Sequence, residues 1–164
     1  MESKTIIKKN IKIFLSDIDG TLTDGGMYYS ADGESFKKFH THDGKGFELL
    51  RNNNIKTGLI TTEINEINVK RFDKLKLDFL VQGVESNGKL KTAIEICSKE
   101  GVSINEVAYI GDDVNCLELL QSVGLAACPN NSQAIIKNIP GIILLDKNGG
   151  DGAVREFANY ILDL

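Results

Sequence analysis

The sequence predicts an α/β fold, a doubly wound and mostly parallel sheet with a β-hairpin after its first strand. Short β-rich runs alternate with helix-length segments from residue 43 onward, as they do in βαβ units. Acidic and hydroxyl residues gather where those runs end. No repeat, low-complexity tract or Pro/Gly/Ser linker divides the 164 residues, a length that suits one domain spanning residues 1–164.

In chain order, IKIFLS (11–16) is a short apolar run of the kind found in a buried strand. MYYSADGESFKKFHTH (27–42) reads as a hairpin, two β-prone arms around Ala31-Asp32-Gly33-Glu34. His40 and His42 then share a face of the second arm, as a metal pair or, the favoured reading, as a hairpin or subunit contact. GFELLRNNN is helical and ends in asparagines, and IKTGLIT (55–61) is the next strand. EINEINVKRFDKL (63–75) sets Ile64, Ile67 and Phe72 at roughly helical spacing. DFLVQ (78–82) is a strand, GKLKTAIEICSKEG a helix stopped by Gly101, and EVAYIGDD (106–113) another strand. A helix through Leu120, a strand at GLAAC, a helix from Ser132, the strand GIILL and a helix from Ala153 to Leu162 complete the chain.

Composition narrows the function. With 41% hydrophobic and 26% charged residues and two prolines, the chain is an ordinary globular protein. A net charge of −4 argues against nucleic acid or an anionic membrane as partner. Cys97, Cys116 and Cys128 are odd in number and lack CxxC spacing, so they read as free thiols in a reducing cytoplasm rather than as a zinc site. MESKTIIKKN lacks the apolar core of a signal peptide. Apolar runs elsewhere fall far short of the roughly twenty residues that span a bilayer.

The chemistry gathers at strand ends, where ligands bind in such sheets. The first strand ends in Asp17-Ile18-Asp19-Gly20, the second in Thr61-Thr62-Glu63 and the fourth in Gly111-Asp112-Asp113, while Lys89 opens the helix after the third. Asp17 and Asp19 repel each other unless a cation or a proton lies between them. A cluster of Asp oxygens suits Mg²⁺, a hard ion that prefers oxygen ligands. Thr61 and Lys89 would hold phosphate oxygens. Taken singly, DxDG and GDD are also turn formers, Thr61 a β-former and Lys89 a solvated lysine. Their joint order at successive strand ends is what argues for a site.

With these residues in place, the chain resembles the haloacid dehalogenase-like phosphatases, through DIDGTLT, Thr61, Lys89 and GDD at 111–113. Too few residues follow the first motif to hold a cap domain. DIDGTLTDGGMYY, DGESFKKFHTHDGKGFELL, AYIGDD and GGDGAVREF are similar to the capless group. That group comprises the 3-deoxy-D-manno-octulosonate 8-phosphate phosphatases and the 2-keto-3-deoxynononate (sialic-acid-type) 9-phosphate phosphatases. The resemblance implies a Mg²⁺-dependent homotetramer in which a neighbour covers each site. It also implies that Asp17 is the nucleophile and Asp19 the general acid and base, with Asp17, Asp19 (by its main-chain carbonyl) and Asp112 as metal ligands. Asp113 and Asn115 would support them, Asp113 by orienting Lys89 or a metal-bound water.

Within the group, Glu63 stands where the nononate enzymes carry Glu and the octulosonate enzymes Arg, which favours the nononate substrate. Arg71 and Lys74 fall where the nononate group places cations that reach a neighbour's site, and Arg155 lies in a tail that approaches one. All three also read as ordinary surface charges. Two departures stand out: Thr62 where Gly is usual, and Cys116 where the pattern GDDxxD places an acid. Cys116 keeps open a non-catalytic oligomerisation domain with a degenerate site. A phosphorylated receiver domain is excluded, because the third strand carries no Asp at its end.

Overall fold

The structure, a computed structural model, describes Lys8 and residues 10–164. The reading of MESKTIIKKN as free of a signal peptide lies almost wholly outside the described residues. Strand β1 (Ile13–Ser16) is buried along its whole length and pairs in parallel with β4 (Lys56–Ile60) and β6 (Val107–Ile110). Outward from these lie β5 (Phe79–Val81) on one side, and β7 (Leu125–Cys128) and β8 (Ile143–Leu144) on the other, giving the order β5-β4-β1-β6-β7-β8. All five pairings are parallel.

Alternation along β1 builds two cores. Phe14 faces Phe47 and Phe157 on helices α1 (Thr41–Asn52) and α6 (Ala153–Leu162). Ile13 and Leu15 face Ile96 of α3 (Lys89–Glu100) and Leu119 of α4 (Leu117–Ser122). Helix α2 (Glu66–Leu75) lies between β4 and β5, and the short α5 (Ala134–Lys137) between β7 and β8. Among the described residues no helix is long and apolar enough to cross a membrane. The expected strands and helices are all present, and no cap separates β1 from α1.

The chain leaves β1 toward β4 and β5, then returns to β6 on its other side. The direction of winding therefore switches between β1 and β6, and a crevice opens there at the carboxyl ends of the strands.

The region before α1 corrects the sequence reading. The hairpin is β2 (Tyr28–Ser30) with β3 (Gly33–Phe36), extended only by a bridge from Thr23 to Phe39, so it stops short of His42. Helix α1 starts at Thr41 because His40 caps it, its Nδ1 accepting the His42 N–H at 3.3 Å. His42 is thus in the first turn of a helix, not on a hairpin arm. Ile64 lies outside α2, which starts after Asn65 has capped it by accepting the Ile67 N–H.

Two contacts bind the end of the chain to its beginning. Gly150, at φ +67°, donates its N–H to the Thr21 carbonyl, and a Cβ there would lie 2.2 Å from the Asp24 nitrogen. Buried Asp43 of α1 accepts the Arg155 N–H at 2.9 Å, while its other oxygen has no partner among the described residues. Burial pushes the Asp43 carboxyl up to about 6. The native state therefore holds a proton that the unfolded chain releases between about pH 4 and 6, so ionising Asp43 destabilises the fold as pH rises through that window. Asp43→Asn is expected to make this loss shallower and to stabilise the protein at pH 7 by on the order of 1–2 kcal/mol, part of the gain being offset by a buried amide. Urea midpoints from pH 4 to 8 in EDTA would measure it; an unchanged slope would contradict the assignment.

Candidate active site

The switch point places Asp17 directly after β1 and Gly111-Asp112 directly after β6, the two neighbouring strands at the centre of the sheet. Asp17 is almost enclosed, and its Oδ2 accepts from Lys89 Nζ at 2.6 Å and from the Cys116 thiol at 2.9 Å. Its Oδ1 takes the Ile18 N–H at 2.7 Å. Lys89 opens α3 as expected, but it is buried rather than solvated. Burial alone would lower the Lys89 pKa; Asp17 and Cys116 beside it outweigh that and hold it above the ordinary lysine value. It is therefore a permanent cation at the floor of the site.

Asp112 accepts a hydrogen bond from Thr21 Oγ1 at 3.0 Å. Its carboxyl is pushed up to about 7, first by burial and then by the negative Asp17 beside it. Gly20, at φ +83°, makes room for that side chain, since a Cβ there would lie 2.1 Å from Asp112 Oδ2. A residue other than glycine would be both strained and obstructed.

Asp17 and the partly buried Asp112 share one crevice with a single buried cation, Lys89, and Asp112 resists ionising there, so the site has room for further positive charge. Ligand atoms of Asp17, Asp112 and Cys116 lie within 4.8 Å of one another. The oxygens suit Mg²⁺. Cys116 is a poor ligand for such a hard ion because its sulfur is soft; burial and the nearby Asp17 raise its thiol well above the ordinary value, and it donates to Asp17. Tyr109 in turn donates to Cys116 Sγ at 3.1 Å. Cys116 thus supplies a neutral contact to Asp17 and Lys89 where an acid is common in the resembling family.

A cleft of about 220 Å³ is lined by Asp17, Asp19, Asp112 and Asp113, with Thr61, Thr62 and Glu63 from the loop after β4. Gly25, Met27 and Asn115 complete its wall. The hydroxyl of Thr61 accepts the Glu63 N–H at 3.2 Å, which shapes that loop. Asp113 makes no hydrogen bond to Lys89 among the described residues; its Oδ1 accepts the Val114 N–H and caps the 3₁₀ turn Val114–Cys116.

Arg71, Lys74 and Arg155 lie elsewhere on the chain. Arg71 donates to the His40 carbonyl, packs over the Phe39 ring and shares a groove with Lys74. Arg155 lines another groove with His40 and His42. One residue missed in the sequence is Lys37, whose Nζ lies 2.5 Å from Asp19 Oδ1.

Residues 50–157 match the family model of the haloacid dehalogenase-like hydrolases. The chain is 33% identical over 159 residues to 3-deoxy-D-manno-octulosonate 8-phosphate phosphatase of Haemophilus influenzae, covering 94% of this chain and 84% of that one. It is 31% identical over 155 residues to the enzyme of the same name in Escherichia coli K12, covering 94% and 80%. Its fold matches the structure of the Moraxella catarrhalis phosphatase of that name in complex with a magnesium ion, a phosphate ion and KDO. The TM-score is 0.92 at 30% identity, over 99% of this chain and 92% of that one. The cobalt-bound Haemophilus influenzae phosphatase matches with a TM-score of 0.90 at 30% identity, over 96% and 90%.

The raised Asp112 has a measurable consequence. Its proton is retained by the native state and lost by the unfolded chain between about pH 4 and 7, so metal-free stability falls as pH rises through that window. Asp112→Asn is expected to stabilise the metal-free protein at pH 8 by on the order of 2–4 kcal/mol. It should also abolish the rise in melting temperature on adding Mg²⁺. Thermal melts with EDTA and with Mg²⁺ test both; a variant that still gains stability from Mg²⁺ would remove Asp112 from the ligand set.

Proposed function

The chain belongs to the haloacid dehalogenase-like hydrolases, and we propose that it is a Mg²⁺-dependent phosphatase of 3-deoxy-D-manno-octulosonate 8-phosphate. The observation that carries this reading is the convergence of Asp17, Asp19, Thr61 and Asp112 on one cleft, with Lys89 beneath Asp17, in a chain similar over its length to phosphatases of that name. Similarity along the whole chain outweighs the single loop residue, Glu63, that favoured the nononate. Glu63 does line the cleft, which keeps 2-keto-3-deoxynononate 9-phosphate as the second reading.

In this mechanism Asp17 attacks phosphorus in line and forms an aspartyl-phosphate. Lys89 and Cys116 hold Asp17 by Oδ2 and the Ile18 N–H holds it by Oδ1, so the carboxylate is oriented from both sides before it attacks. Asp19 gives its proton to the departing sugar oxygen, then takes one from the water that hydrolyses the intermediate. Lys89 holds the nucleophile and meets phosphate charge from below, and Thr61 meets a phosphate oxygen from the β4 side. Asp17, Asp112 and the Asp19 carbonyl would hold Mg²⁺, which when bound would supply the positive charge that lets a carboxylate approach a phosphate. Asn115, at the cleft wall beside Cys116, supports that arrangement.

The cleft suits a phosphate group but is smaller than the 300 Å³ or more typical of sites that enclose a whole small molecule. The sugar acid's carboxylate must therefore find cations beyond it. Arg71, Lys74 and Arg155 are such cations, and a homotetramer would let a neighbouring chain bring them to the mouth. The hairpin offers a contact surface, because Met27, Tyr28, Tyr29 and Phe36 are exposed, Phe36 by 71%.

Phosphate release from the two substrates under identical conditions tests this reading. The octulosonate 8-phosphate is expected to exceed the nononate 9-phosphate at least tenfold in kcat/KM, about 1.4 kcal/mol. A reversed preference would move the assignment to the nononate. Asp17→Asn should abolish turnover of both while the protein stays folded; substantial remaining activity would overturn the nucleophile assignment.

A further inference from the structure

Two adjacent lysines follow β3 and face opposite ways. Lys38 extends toward solvent, its side chain 52% exposed. The Lys37 side chain is 1% exposed, although its neighbour Phe36 lies in the open. This reverses the usual order of burial, and an enclosed ammonium persists only when it is paired. Its partners are Asp19 Oδ1 at 2.5 Å and Glu34 Oε2 at 3.5 Å. Glu34 Oε2 also accepts from Asn65 Nδ2 at 2.6 Å. Asn65 Oδ1 caps α2, and its N–H donates to Gln82 Oε1 at 3.0 Å.

A continuous polar chain, Asp19–Lys37–Glu34–Asn65, therefore joins the loop after β1, the hairpin and the loop after β4. Lys37 takes one oxygen of Asp19. The other, Oδ2, is enclosed and has no hydrogen-bond partner among the described residues. We propose that Lys37 is a positioning residue for the acid–base step: it fixes the Asp19 carboxyl by Oδ1, and with it the direction in which that carboxyl exchanges its proton with the leaving-group oxygen. The inference rests on the role given to Asp19 above.

In the step concerned, the bond from Asp17 to phosphorus forms as the bond from phosphorus to the sugar oxygen breaks. The electron pair stays on that oxygen, and the proton passes to it from the Asp19 carboxyl. A general acid works only within hydrogen-bond reach of its target, and a displacement of about 1 Å can cost on the order of 100-fold in rate. An alkoxide leaving group depends on that proton, whereas p-nitrophenolate departs without it.

The experiment compares wild type, Lys37→Met and Lys37→Arg, with Mg²⁺, on three substrates: 3-deoxy-D-manno-octulosonate 8-phosphate, glycerol phosphate and p-nitrophenyl phosphate. The readout is kcat/KM, which covers the steps up to the aspartyl-phosphate. Lys37→Met is expected to lower kcat/KM for the alkyl phosphates at least tenfold more than for the aryl phosphate, and Lys37→Arg to recover part of the difference. Equal losses on alkyl and aryl substrates, or no loss at all, would overturn the proposal. Should Lys37→Met fail to melt cooperatively, Lys37→Gln supplies the same comparison. If wild type ignores the octulosonate but turns over glycerol phosphate, the substrate reading fails. The alkyl-to-aryl ratio still decides the role of Lys37.

Discussion

The buried pair of Asp17 and Lys89 is the interaction on which the site depends. Two neighbouring central strands each deliver a carboxylate to one crevice, and without a cation beneath them that geometry would be too repulsive to hold. Lys89 enters from α3, a separate element, and is enclosed with Asp17 rather than left in water. Such a pair does not by itself make a strong stability argument, because desolvation offsets much of the attraction. It does fix the nucleophile's orientation, and removing one partner would strand the other.

The consequences reach outward from that pair. Cys116 fills the space beside Lys89 with a neutral donor, so the local charge differs by one from a site with an acid there. Asp112 carries the remaining strain as a reluctance to ionise. The site thus holds a free-energy deficit that a divalent cation relieves, as expected where function competes with stability. The hairpin combines an exposed aromatic surface with an enclosed lysine, which is paired with Asp19 and Glu34 of the same chain.

Much of this was legible in the sequence, for a physical reason. Asp17, Thr61, Lys89 and Asp112 were found because strand ends are marked by a change from apolar runs to polar residues, a local signal. The alternation of β-rich runs with helical segments pointed to the fold, and the order of the motifs to the site. Lys37 was not legible, because nothing in Lys37-Lys38 tells which one turns inward; that depends on where the hairpin lies over Asp19. The start of α1 was misplaced because His40, a poor cap on preference alone, does the capping here. In each miss a contact specific to this fold prevailed over residue type.

The Gly149-Gly150 turn adds a temporal dimension. It lies against the backbone of Gly20 and Thr23-Asp24, and α6 behind it supplies Phe157 to the ring cluster under β1. The nucleophile loop is thus completed by residues synthesised long after it. Strands β1, β4 and β6 can pair while synthesis proceeds, but the loop that carries Asp17 and Asp19 has its final support only after residue 150 has emerged. A nascent chain therefore has its charged cluster long before it has a working arrangement of it.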